Sequence, residues 1–156
     1  MRTPEDFMRL AFDLGRNGIG RAGHRPFACL IVRDGEIVGQ AVSASRDGND
    51  PTAHGEVLAI RDACGHLGTR DLSGCDLYTT CEPCPLCVSA IWYARISGLY
   101  YSYTLEDCET IGISTRELVD EVRLPIKNRR LPSQQLLVED GKRLFDDWRS
   151  APNFIP

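Results

Sequence analysis

No apolar run in these 156 residues approaches the roughly 20 that a membrane-spanning helix needs. The opening stretch MRTPEDFMRL lacks the basic-then-apolar order of a secretory leader, so a cytoplasmic protein is expected. Low-complexity linkers and internal repeats are missing too, which excludes collagen-like and disordered classes. Nor is positive charge in excess: 18 Lys and Arg against 22 Asp and Glu leave a net charge of −4, which repels phosphate backbones. The one basic cluster, Lys127, Arg129 and Arg130, lies between Pro125 and Pro132 and reads as a solvated loop. A small molecule, not a nucleic acid or membrane, is the expected partner.

With 42% hydrophobic and 26% charged residues, the chain is long and apolar enough for one domain over 1–156 with a single core. Its seven cysteines, at 29, 64, 75, 81, 84, 87 and 108, are odd in number, against a closed disulfide framework. Three of them fall within seven residues, and in a reducing compartment that spacing points to a metal site or to redox chemistry.

Thr3 and Pro4 read as N-cap and first position of a helix whose apolar residues Phe7, Leu10, Ala11 and Leu14 recur at helical spacing. Strands are predicted at Phe27–Val32 and Glu36–Val42, joined by the turn pair Asp34-Gly35, then at Cys75–Thr80, Gly98–Tyr103 and Gln135–Val138. Helices are predicted at Ala53–Leu67, closed by Gly68, at Pro85–Arg95, at Ser114–Val122 and around Lys142–Arg149. That order predicts an α/β fold, a three-layer α/β/α sandwich around a mixed five-stranded sheet whose first two strands are antiparallel.

Two segments carry chemistry: His54-Gly55-Glu56 and Pro83-Cys84-Pro85-Leu86-Cys87, each at a predicted helix start. A helix N-terminus is electropositive and favours ionised thiols. His54, Cys84 and Cys87 would make three protein ligands to one zinc ion, and catalytic zinc sites leave a fourth position for water. Glu56, two residues after a ligand, is the candidate to move that water's proton. This H-x-E followed by P-C-x-x-C is the pattern of zinc nucleobase deaminases.

The chain resembles the cytidine and deoxycytidylate deaminase superfamily, and within it the bacterial guanine deaminase group. The resemblance rests on Pro26-Phe27, on NDPTAHGE at 49–56 with AIR at 59–61, on LYTTCEPCPLC at 77–87 and on AIWYAR at 90–95, about half of the chain. It implies a cytidine deaminase-like fold, zinc on His54, Cys84 and Cys87, Glu56 as general acid and base, and a base pocket walled by Phe27, Trp92 and Tyr93. Packing in the core or at a dimer interface is the other reading of Trp92 and Tyr93. The resemblance also implies a homodimer that exchanges a C-terminal segment, about 125–156, with the tail closing the partner's pocket.

Departures from that group bear on substrate. Ser43 stands where an Asn would bond the base, and Ser114 or Thr115 where an acidic residue would, unless a gap recruits Glu106, Asp107 or Glu109. Gly55 removes a side chain near the metal and also occurs in fungal-type cytosine deaminases. Guanine leads, with cytosine, isocytosine, other aminopurines, pterins, aminotriazines and tRNA adenosine behind it. A closed structural zinc site on Cys81, Cys84, Cys87 and His54 is a rival of another class, as is a redox pair in CEPC or CPLC. Cys29, Cys64, Cys75 and Cys108 read as small buried hydrophobes, and His24 and His66 as structural or exposed.

Overall fold

The computed structural model describes residues 2–46 and 48–155, and the chain divides into two compact units, Met1–Val119 and Asp120–Pro156. Helix α1 (Pro4–Arg16) starts on the expected cap: Thr3 accepts from the Asp6 N–H while Asp6 bonds back to the Thr3 backbone. Strands β1 (Ala28–Arg33) and β2 (Glu36–Val42) form the antiparallel hairpin, with Asp34 and Gly35 both at positive φ in the turn. Then come α2 (Gly55–Leu67), β3 (Asp76–Cys81), α3 (Pro85–Tyr93) and β4 (Gly98–Tyr103). The left-handed Gly68 that closes α2 is where the sequence predicts it.

The sheet runs β2-β1-β3-β4, with β1 antiparallel to both neighbours and β3 parallel to β4 across α3. Alternation along β1 and β3 sends side chains to two cores. Cys29, Ile31 and Leu77 pack with Ala59 and Ala63 of α2 on one face, and Leu30, Val32 and Tyr78 pack with Phe7 and Ala11 of α1 on the other. Helices thus cover both faces, as expected, and no helix among the described residues is long and apolar enough to cross a membrane. Gly39 lets α2 settle onto β2, since a Cβ there would lie 2.6 Å from the Ala59 carbonyl oxygen and 2.7 Å from the Ala63 nitrogen.

Four strands, not five, make the sheet among the described residues. The expected strand Gln135–Val138 is absent because Leu137 takes a left-handed backbone (φ 50°) and Val138 opens helix α6 (Val138–Ser150), with Glu139 and Asp140 in its first turn. A helix that the apolar pattern did not predict, α4 (Leu105–Thr110), follows β4, capped reciprocally by Thr104 and Asp107, and α5 (Arg116–Arg123) comes next. In the second unit Arg129 donates to the Leu124 carbonyl, the Arg130 N–H bonds Glu121, and Trp148 meets Phe145 and Phe154 edge-on. Two of the three clustered cations thus serve local chain geometry.

Candidate metal and substrate site

Two helix starts meet. His54 is the N-cap of α2 and Cys84 the N-cap of α3, and neither side chain is used for capping. Cys87 lies one turn into α3, so the His54 imidazole and both sulfurs fall into one cluster. His54 Nδ1 stands 3.6 Å from Cys84 Sγ and 3.4 Å from Cys87 Sγ, and the sulfurs are 3.7 Å apart. For a tetrahedral zinc with bonds of about 2.3 Å to sulfur and about 2.0 Å to nitrogen, the edges come to about 3.8 Å and about 3.5 Å. The three groups therefore fit the ion without rearrangement.

Electrostatics agree with that fit. The hydrogen bond with Cys87, ahead of that with His54, pulls the Cys84 thiol down to about 4, while the Cys87 thiol is pushed well up by sharing that hydrogen and by burial. One negative charge thus sits on two sulfurs, and a divalent cation would convert the pair to two thiolates. His54 is raised chiefly by its bond to Cys84, with Arg25 acting against it. Cys81 stays out of the cluster: its sulfur lies 3.2 Å from Cys108 Sγ, and among the described residues only His54, Cys84 and Cys87 bring ligand atoms together. The four-ligand structural site therefore lacks its fourth member.

Glu56, only 5% exposed on the first turn of α2, sits beside the cluster. Its Oε1 accepts from Thr79 Oγ1 at 3.2 Å and its Oε2 lies 3.3 Å from Cys87 Sγ. Burial raises its pKa, holding the proton closer to neutral pH than an exposed glutamate would. Gly55 between them acts on the backbone, not on the metal: a Cβ there would lie 2.5 Å from the Phe27 carbonyl oxygen, so its missing side chain seats α2 against the start of β1.

A cavity of about 90 Å³ opens onto these groups, and Phe27, Ser43 and Thr115 are among the residues that line it. The Ser43 hydroxyl lies 3.4 Å from the Ala53 carbonyl. Three expected residues lie elsewhere. Ser114 donates to Glu109, which also holds Arg116. Trp92 and Tyr93 are 81% and 83% exposed and line a different groove with Arg61 and Arg70, because Cys87 and Ile91 take the inward side of the short α3. The acidic alternatives are also engaged: Asp107 caps α4 and Glu109 pairs with Arg116, and neither they nor Glu106 line the cavity.

Sequence reasoning missed Arg25, Glu82, Thr79 and the contact between Cys81 and Cys108. Arg25 and Glu82 each adjoin a recognised motif, Pro26-Phe27 and Pro83-Cys84, so adjacency was the available signal. Thr79 and Cys108 reach the site through strand pairing and α4, which leave no local mark. Glu82 Oε2 accepts from the Leu105 N–H, and its other oxygen bonds no described residue.

Residues 1–103 match the family model for the cytidine and deoxycytidylate deaminase zinc-binding region. The chain is 36% identical to the guanine deaminase of Bacillus subtilis over 149 residues, 96% of each sequence. It is 33% identical to a tRNA-specific adenosine deaminase of Aquifex aeolicus, over 92% of each. The crystal structure of the Bacillus subtilis guanine deaminase superposes with a TM-score of 0.93 at 35% identity, covering 99% of both chains. That of Nitrosomonas europaea guanine deaminase gives 0.68 at 29%, covering 73% of this chain and 66% of that one.

Proposed function

The chain belongs to the cytidine and deoxycytidylate deaminase family of zinc-dependent hydrolases, and from that premise we propose that it deaminates a free guanine-type ring, converting ring-NH2 and water to ring carbonyl and ammonia, with His54, Cys84 and Cys87 as zinc ligands and Glu56 as acid and base. The observation that carries the reading is the buried Glu56 carboxylate beside a three-ligand cluster of zinc dimensions.

When bound, zinc supplies a Lewis acid that makes water nucleophilic near neutral pH. Glu56 Oε2 would take one proton from the attacking water and pass it to the ring nitrogen, then take the second from the hydroxyl added to the ring carbon and pass it to the amine, which leaves as ammonia as the carbonyl forms. Thr79 holds the other oxygen so that the carboxylate cannot rotate away. Phe27 offers a flat apolar wall to a flat ring. Guanine presents ring N–H donors, and the second carboxylate oxygen of Glu82, which bonds no described residue, supports guanine as lead by offering a charged acceptor where the Ser43 and Thr115 hydroxyls offer neutral ones.

The assembly we favour is a homodimer with an exchanged C-terminal segment. It is supported by Leu144, Phe145 and Trp148 standing exposed on α6, and by Trp92 and Tyr93 standing exposed on α3.

Ammonia release by zinc-loaded protein from guanine, cytosine, isocytosine, adenine, pterin, ammeline and a tRNA, with Glu56→Ala as blank, tests the reading. Guanine turnover absent from the blank supports it. Release only from another compound moves the substrate and keeps the chemistry, and silence across the panel with zinc bound overturns both.

A further inference from the structure

Arg25 lines the cavity with no counter-charge among the described residues. Its neighbours are pinned on both sides: His24 Nε2 donates to the Gly15 carbonyl at 2.9 Å, Thr80 Oγ1 donates to the Pro26 carbonyl at 2.9 Å, and the Ser43 N–H donates to the Phe27 carbonyl at 2.8 Å. The backbone of residue 25 is therefore held in place. Its side chain, by contrast, makes no hydrogen bond or ion pair with any described residue, although it is part-buried and lines the same cavity as His54 and Glu56. Some other arginines find carboxylates, Arg9, Arg61 and Arg95 among them, but these stand on the open surface and not in the cavity. The carboxylates that line the cavity are engaged elsewhere, Glu56 by Thr79 and Cys87 and Glu82 by the Leu105 N–H, and neither lies within ion-pair distance of Arg25.

A part-buried guanidinium without a partner loses hydration and gains nothing inside the chain. Its planar fork of donors matches a carboxylate or a phosphate two bonds at a time. The whole chain carries a net charge of −4, so an anion would be received here by local charge and not by the general field.

We infer that Arg25 is a specificity-determining residue and that the amine-bearing ring taken by this cavity carries an oxyanion, a carboxylate or a phosphate, which the Arg25 guanidinium receives while the amine faces Glu56. The inference rests on the deaminase reading and narrows it: guanine is the parent ring, and the anionic arm is what the site adds.

Matched pairs of ligands test it. Pterin against pterin-6-carboxylate carries the carboxylate arm, and guanosine against guanosine monophosphate the phosphate arm. Binding is measured by calorimetry on zinc-loaded protein in the Glu56→Gln background, alone and combined with Arg25→Gln or Arg25→Lys, and ammonia release is measured in parallel with Glu56 intact. In one of the two pairs the anion is expected to bind at least about tenfold tighter than its parent. Arg25→Gln should reduce that ratio to about one, and Arg25→Lys, which keeps the charge without the fork, should leave an intermediate ratio. The pair that shows the preference identifies the arm. No preference in either pair, or a preference that survives Arg25→Gln, overturns the inference. Ammonia from none of these compounds nor from guanine, with the binding preference present, overturns the deaminase reading and leaves Arg25 as an anion receptor.

Discussion

In the proposed reaction Glu56 would set function against stability within one side chain. A carboxyl whose pKa in the fold is raised above its ordinary 4.5 contributes stability below that value and loses it as the pH rises through the folded value. Glu56→Gln, uncharged at every pH, should therefore melt higher than wild type in zinc-free protein at about pH 7, with the gain gone at about pH 4. Thermal melts at the two pH values check this, and a gain that persists in acid would assign the effect to packing. In zinc-loaded protein the same substitution should retain the metal and cost about 10²- to 10⁴-fold in turnover, whereas His54→Ala or Cys87→Ala should lose the metal itself. Metal analysis beside initial rates separates the two results. His54, Glu56, Cys84 and Cys87 were legible in the sequence because each lies within three residues of a partner in a helix start. Trp92, Tyr93 and Ser114 lie outside the cavity because the direction of a side chain on a short helix or a loop depends on what packs behind it.

At the scale of elements, the meeting of the α2 and α3 starts depends on how closely α2 lies on the hairpin. Gly39→Val would drive a side chain into the Ala59 carbonyl and the α2 backbone, so the helix must lift. About 1–3 kcal/mol of stability should be lost. Zinc affinity should fall with it, because His54 rides on the same helix. Denaturant melts and metal titration test the two effects, and lost stability with unchanged zinc affinity would show that the N-terminus of α2 is held by Gly55 and Phe27 alone. The hairpin, the Thr3 cap and the Gly68 terminus were readable because turn and cap chemistry is local. Helix α4 has a reciprocal Thr104 and Asp107 cap but only six residues, too short for a helical repeat to register.

For the whole molecule, charge and the C-terminal unit make separate forecasts. A free, uncharged base should show a KM that is flat between about 50 and 200 mM salt, whereas an RNA substrate neutralised by several cations would lose affinity steeply. Measuring KM for guanine across that range distinguishes them. Truncation after Ser150 removes Phe154 and with it the edge contact to Trp148. If the tail closes a partner's pocket, KM should rise while sedimentation still reports a dimer, and an unchanged KM would remove the lid.

What the amino-acid sequence determined by itself is whatever short-range chemistry encodes: candidate zinc ligands at helix starts, a carboxylate two residues after a histidine, hairpin and cap signals, and alternating strands that face two cores. The tertiary structure alone decided which residues share the cavity. Thr79 reaches Glu56 from β3, Cys108 meets Cys81 from α4, and Arg25 enters ahead of β1, all from far along the chain. The fifth strand failed for the same reason, since the apolar run Leu136-Leu137-Val138 suits a strand or a helix start equally and only the backbone at Leu137 chose. Local geometry follows from neighbours in sequence, whereas a pocket follows from which surfaces the two cores bring together.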